Sequence, residues 1–348
     1  MTIPVSEVWT VQRIDNAGRG VVASQPIAKD TVILRSGPPV VHVIFKKYGK
    51  ETCAQCFLWD RGRTLRERAN ELGKVFCSAD CRAQWMREQD SDGVEAWRTL
   101  TTFVKTQASN NGGSDEAMAE GVKPSAETIR LLWQKAEAAA LLLRRARAKS
   151  GVSKAERKTL NALQRQLARS KDADTLSYFL SGLLLERRAD SERQRQDFLE
   201  LAMDDTPYRT QQNLDDSCTA FLQLISILPV HLLDLLTPQL CLNIVRADNH
   251  NAFGIRAGGE DSEEYMGYAV YPCASYFNHS CDANIHKKRA GREWTFHTAR
   301  DILPGEQLCI TYLGGDEKDL DVTARRSRLN DAWGFVCQCA RCNSDAPS

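Results

Sequence analysis

Twelve cysteines are the first chemistry this sequence of 348 residues offers. Cys53 and Cys56 form a C-x2-C pair, Cys77 and Cys81 a C-x3-C pair, and Cys337, Cys339 and Cys342 a C-x-C-x2-C run. Thiolates at such short spacings build the knuckles of tetrahedral zinc sites. The opening MTIPVSEVWTVQRID has no apolar signal core, and cysteines in a chain without a signal peptide point to metal thiolates rather than disulfides. Cys218, Cys241, Cys273 and Cys309 sit in apolar contexts and read as buried small residues. The second concentration of chemistry is Tyr271 to Tyr312. It holds Asn278-His279-Ser280-Cys281, then D-A-N-I, an apolar hairpin around Pro304-Gly305, and a terminal tyrosine after Gly305-Glu306-Gln307-Leu308.

The elements that must position these groups alternate between strand and helix patterns. Residues 8–35 alternate as strands (VWTVQRI, VVAS, TVILRS) around Gly18-Arg19-Gly20, where glycines let backbone approach a ligand closely. That GRG by itself also reads as an ordinary turn. Residues 107–124 are small, polar and Gly-rich, as in a flexible loop. About eighty helical residues follow, with Leu160, Leu163 and Leu167 on one face and Leu176, Phe179, Leu180, Leu183 and Leu184 on another. Ser150-Gly151-Val152-Ser153 breaks the first of these helices from the second and predicts an αα-hairpin. Further helices run through 214–245, and Asn249 to Ile255 starts a new β-region.

Lys plus Arg total 46 against 45 for Asp plus Glu, so no global field steers the chain toward nucleic acid or membrane. No apolar run approaches the roughly 20 residues that span a bilayer. The neutral total conceals a basic stretch at 144–171, with ten Lys or Arg against Glu156 alone. It reads either as a solvated helical face or as a dock for nucleic acid, chromatin or the ribosome.

Taken together, N-H-S-C-x-x-N followed by G-E-x-L-x-I-x-Y and the C-x-C-x2-C tail closely resembles SET-domain protein lysine methyltransferases of the SET-and-MYND type. The resemblance covers roughly residues 11–35, 53–85 and 245–342, about half the chain. It implies an α+β fold: a β-rich SET fold interrupted by a zinc knuckle and a long helical insertion, closed by a cysteine-rich post-SET segment. The expected divisions are 1–48 and 245–315 for the SET halves, 49–90 for the knuckle, 91–244 for the insertion and 316–348 for the post-SET segment. The run VFCSADCRAQW resembles the third cysteine pair of a MYND finger. A complete finger has a second pair, a distal His and a last Cys that this sequence lacks, so one of its two zincs is expected to survive, on Cys53, Cys56, Cys77 and Cys81. A second structural zinc is expected on Cys281, Cys337, Cys339 and Cys342.

By the same resemblance Arg19, Gly20, Asn251, Asn278, His279 and Phe335 contact S-adenosylmethionine. Asn251 also reads as an ordinary turn residue, and Trp333 equally as core. Tyr312 resembles the catalytic tyrosine, while Tyr268, Tyr271 and Tyr276 are unranked candidates for the walls of a lysine channel. A lone histidine is more often structural, so His279 is not assigned as a base. The reaction expected is methyl transfer to a lysine amine of a protein substrate, inside the cell in cytoplasm or nucleus. The alternative is a non-catalytic scaffold of SET core and knuckle that binds peptides or chromatin. The helical insertion is expected to stand in for part of the C-terminal helical-repeat domain that many such proteins carry.

Overall fold

A computed structural model describes residues 6–106, 122–148, 151–168, 172–188, 192–257 and 264–346. The expected flexible loop falls mainly on residues outside this set, as do Lys149, Ser150 and Arg169 to Lys171 of the basic stretch. Three small antiparallel sheets form the β half. In the first, β1 (Trp9–Ile14) pairs with β2 (Gly18–Ala23), and β11 (Gln307–Leu308) adds to the far side of β2. The second runs β3 (Val32–Arg35), β10 (Glu293–Thr298), β9 (Ile285–Ala290). The third runs β4 (Val41–Ile44), β8 (Tyr265–Val270), β7 (Ala252–Arg256). The period-two pattern explains why these segments are strands: in β10, Trp294, Phe296 and Thr298 are buried while the residues between them are not. Their inner faces close one core, with Phe277 edge-on to Trp9 at 5.8 Å and to Phe296 at 4.8 Å.

One expectation fails here. Pro304-Gly305 is not the turn of a hairpin, because the residues on either side of it pair elsewhere. Ile302 bridges to Ile27, while Gln307 and Leu308 pair with Val22 and Val21. The hairpin lies earlier, between β9 and β10 around Gly291. Gly305, at φ +85°, turns the chain from one sheet to another.

A short hairpin of β5 (Glu67–Ala69) and β6 (Lys74–Phe76) leads into α1 (Ala79–Lys105), which is capped by Ser78. Asp90 breaks α1 with φ 52°, and its carboxylate accepts the amides of Asp92 and Gly93, so it starts the helix again. Next come α2 (Ala126–Arg147), α3 (Lys154–Leu167), α4 (Ala173–Arg187), α5 (Glu192–Leu199), α6 (Gln211–Ile227) and α7 (Pro238–Asn251). Ser125, Ser153, Asp172, Thr210 and Thr237 cap five of these with side-chain acceptors. α4 is buried from Leu176 to Leu185 apart from Ser177 and packs against α1, α6, α7 and β4, which makes it the axis of the helical half. Gly182 permits this, since a Cβ there would lie 2.2 Å from Ile244 Cδ1 on α7. The knuckle shares this helical core, as Leu65, Leu72, Phe76 and Trp85 join the cluster around α4.

Other details depart from the sequence reading. α7 continues through Asn251, so the β-region begins at Ala252 and not at Asn249. Cys218 and Cys241 are buried as expected, but Cys273 and Cys309 are only half-buried. Part of the basic stretch is turned inward: Arg144 donates to the carbonyls of Leu233 and Leu236, and Arg147 donates to that of Ile225 at 2.7 Å. Lys154, Arg157, Lys158 and Arg165 on α3 remain exposed. Among the described residues no helix is long and apolar enough to cross a membrane. The chain ends in α8 (Val322–Trp333) and α9 (Ala340–Ser344).

Where α7 meets the sheet, burial pushes the Asp248 carboxyl up to about 7, opposed only by a hydrogen bond from Tyr268. A raised folded-state pKa means the charged form is penalised, and this penalty accrues between the unfolded value near 3.9 and about 7. Asp248→Asn is therefore expected to raise the melting temperature at pH 8, with the gain shrinking on acidification to pH 4. Thermal melts of both proteins across this range check it.

Candidate functional site

Two distant segments lie side by side at the centre of the β half. The amide of Ile310 donates to the Asn278 carbonyl at 3.0 Å, and that of Ser280 donates to the Ile310 carbonyl at 2.9 Å, in parallel pairing. Asn284, which the sequence reading left without a role, locks this crossing. Its Oδ1 accepts the Cys309 amide at 2.8 Å and its Nδ2 donates to the Gln307 carbonyl at 2.9 Å. It is the last Asn of N-H-S-C-x-x-N, so the signal was present in the motif.

Tyr312 emerges from this crossing. Its phenol donates to the Phe277 carbonyl at 3.1 Å, and burial pushes its pKa well up, so it is a neutral hydroxyl at pH 7. Trp333 and Phe335 pack on its ring, at centroid distances of 5.3 and 6.3 Å. The Tyr312 amide donates to His279 Nδ1 at 3.0 Å, which leaves the proton on Nε2, 3.2 Å from Cys281 Sγ. Burial first, then Lys287 and Arg325, draw the His279 pKa down to about 4. His279 is thus a neutral bridging ring, in keeping with its not being a base.

On the other side of Asn278 stands the Gly18-Arg19-Gly20 end of β2. A Cβ on Gly20 would come within 2.6 Å of Asn278 Nδ2 and 2.8 Å of Gln307 Nε2, so a side chain there would have to displace both amides. Asn278 Nδ2 is buried without a hydrogen-bond partner. A buried orphan donor costs about 1–3 kcal/mol unless a ligand meets it. Arg19 lies over the Tyr276 ring at 5.0 Å and reaches the Glu200 carbonyl. Of the three unranked tyrosines, Tyr276 contacts Arg19. Tyr271 is buried in the sheet core and Tyr268 packs on Tyr178. Asn251 is placed differently: its amide donates to the carbonyls of Ala202 at 2.8 Å and Ala247 at 2.7 Å, so those donors tie α7 to the loop after α5.

The cysteines gather into two groups of four, as the spacings together with the family resemblance led one to expect. The sulfurs of Cys53, Cys56, Cys77 and Cys81 lie within 4.8 Å of one another, and so do those of Cys281, Cys337, Cys339 and Cys342. All eight are unbridged. Four thiolates in so small a space repel one another, and a divalent cation removes that repulsion. The donor sets fit closed tetrahedral zinc sites with no open position for water. Arg325, 1% exposed, supports the second group by donating to Cys342 Sγ at 3.6 Å, to the Leu320 carbonyl and to Asp345.

With zinc supplied, the protein is expected to carry two ions per chain by elemental analysis. Cys342→Ser should lower this to one, as should Cys53→Ser, and the double variant should carry none. An unchanged metal content in either single variant would refute the corresponding site.

Among curated proteins the chain is similar to the potential protein lysine methyltransferase SET6 of Saccharomyces cerevisiae. The two are 46% identical over 130 residues, 37% of this chain and 34% of that protein. A SET and MYND domain-containing protein of Dictyostelium discoideum is 37% identical over 106 residues, 30% of this chain and 26% of that one. The human histone-lysine N-methyltransferase SMYD3 is 38% identical over 81 residues, 23% of this chain and 18% of that one. The matched segments thus span about a third of these relatives or less. The family model described as the SET domain matches residues 18–313, which takes in both Gly20 and Tyr312, and the chain belongs to the SET-domain family.

Proposed function

We propose that this protein transfers a methyl group from S-adenosylmethionine to the side-chain amine of a lysine in a protein substrate. The observation that carries this reading is the partnerless Asn278 amide, held between Gly20 of β2, where a Cβ would crowd it, and the segment that leads to Tyr312. Arg19, Gly20, Asn278, the His279 backbone and Phe335 would hold S-adenosylmethionine, and Asn251 would contribute through its oxygen, since its amide donors are engaged. Bound there, it supplies an electrophilic methyl on a sulfonium. In this reading 1–48 and 245–315 form the catalytic unit, and 49–90, 91–244 and 316–348 are the knuckle, the insertion and the closing segment.

The chain's own residues then have to deliver a neutral amine in line with the methyl. A free lysine has a pKa near 10.4, so neutrality at pH 7 costs about 4.6 kcal/mol. An aromatic wall of Tyr312, Trp333 and Phe335 desolvates the ammonium and lowers that cost. The Tyr312 hydroxyl and the Phe277 carbonyl that accepts from it are fixed polar groups able to orient the amine. Among the described residues, the exposed cations of α3, Lys154, Arg157, Lys158 and Arg165, are available to meet chromatin or the ribosome.

Tyr312→Phe keeps the ring packing and removes the hydroxyl. It is expected to lower methyl transfer about a hundredfold or more while leaving folding and zinc content intact. Transfer of labelled methyl from S-adenosylmethionine to proteins of a cell extract measures this. Equal labelling by both proteins would remove Tyr312 from the mechanism, and no labelling by folded, zinc-loaded wild type would favour the scaffold reading.

A further inference from the structure

Away from Tyr312 a cavity of about 340 Å³ lies between the β5–β6 hairpin, α1, β4 and α4. Neither Tyr312, Asn278 nor Gly20 lines it. Its volume falls within the roughly 300–1,000 Å³ of small-molecule sites. Much of the wall is apolar, with Leu72, Val75, Trp85, Trp97 and Leu100. The charge on it is one-sided, since seven Lys and Arg side chains face only Glu88 and Asp174.

Some of those cations are already neutralised. Arg292 pairs with Glu88 at 2.6 Å, and Arg187 pairs with Asp90 and Asp92. Asp174 is occupied by the Lys46 amide at 2.7 Å. Lys74 makes no ion pair among the described residues, and its ammonium stands over Trp97, 3.8 Å from the ring centroid. On β4, His42 rests against Phe57 at 5.2 Å, and its imidazole makes no hydrogen bond among the described residues. Arg292 Nε is buried and unpartnered. Burial draws Lys74 down to about 8, and burial with Arg292, Lys74 and Arg188 holds His42 well below its usual range. The pocket is thus electropositive, with few acidic groups to answer its cations.

We infer that this cavity is a second ligand site, separate from the Tyr312 site, for a small organic anion with an apolar body. The acid group pairs with Lys74 and the apolar body lies against Trp97, Trp85 and Leu100. A carboxylate and a phosphate ester share this chemistry, and the experiment separates them.

The zinc-loaded full chain is titrated by calorimetry with 4-phenylbutyrate, with phenyl phosphate and with neutral 4-phenylbutanol. Binding of either anion at one equivalent without binding of the alcohol supports the site, and the tighter anion identifies the acid group. Failure of both anions to bind at about 1 mM overturns it. Lys74→Met should weaken the anion about tenfold or more, and Lys74→Arg should restore it. Unchanged affinity in Lys74→Met overturns the assignment. Hydrogen exchange on wild-type protein needs no variant. Saturating anion should protect peptides spanning 70–76 and 97–105, and protection absent there contradicts the site even if Lys74→Met fails to fold.

Discussion

The neutral His279 ring, accepting on one nitrogen and donating on the other, is the constraint on which the site depends. It takes the Tyr312 amide at 3.0 Å and faces Cys281 Sγ at 3.2 Å, so one imidazole joins the tyrosine strand to a cysteine cluster. Cys281 shares a four-residue segment with Asn278, while its cluster partners Cys337, Cys339 and Cys342 lie more than fifty residues on. Metal at that cluster therefore fixes three things together: the Asn278 segment, the Tyr312 strand and the tail carrying Trp333 and Phe335. Closing so long a loop costs conformational entropy, and metal–thiolate bonds offset it by several kcal/mol. Zinc held by four thiolates would have no open position for chemistry, and its part would be to keep the aromatic wall over Tyr312 in place.

The same economy holds in the rest of the molecule. Short strands with few ladder bonds cannot hold a sheet by themselves. Here Asn284 clamps β11 through side-chain bonds to Gln307 and Cys309, and α4 packs behind β4. The knuckle is built into the helical core through Phe76 and Trp85, so it is not an independent module. Its cluster lies on one flank of the cavity around Lys74 and its hairpin supplies part of the wall.

What the sequence disclosed was what depends on local spacing. Thiolate pairs two to four residues apart must sit on one turn, so the paired cysteines were visible, as was the buried face of α4, whereas Cys281 joined its cluster only through the motif it shares with Asn278. Gly20, which reads locally as part of a turn, lies inside β2 opposite Gln12. What it concealed depends on partners far along the chain. Pro304-Gly305 carries a turn signal, but nothing local says that Ile302 seeks Ile27 and Leu308 seeks Val21. Asn251 looked like a strand entry until carbonyls at Ala202 and Ala247 claimed its amide. Arg144 and Arg147 counted toward a basic face, although helix-end carbonyls near α6 accept their hydrogen bonds. Asn284 is the instructive case, since the motif displayed it and only the crossing of two segments gave it a purpose.

The most direct measurement is the protonation state of the His279 ring, read from two-bond proton–nitrogen correlations in histidine-labelled, zinc-loaded protein at pH 7. With six histidines in the chain the assignment is tractable by a His279→Gln control. The structure predicts a neutral ring with its proton on Nε2 and an acceptor Nδ1. A proton on Nδ1, or a doubly protonated ring, would contradict the bridge between Tyr312 and Cys281 and the coupling of zinc to the site built on it.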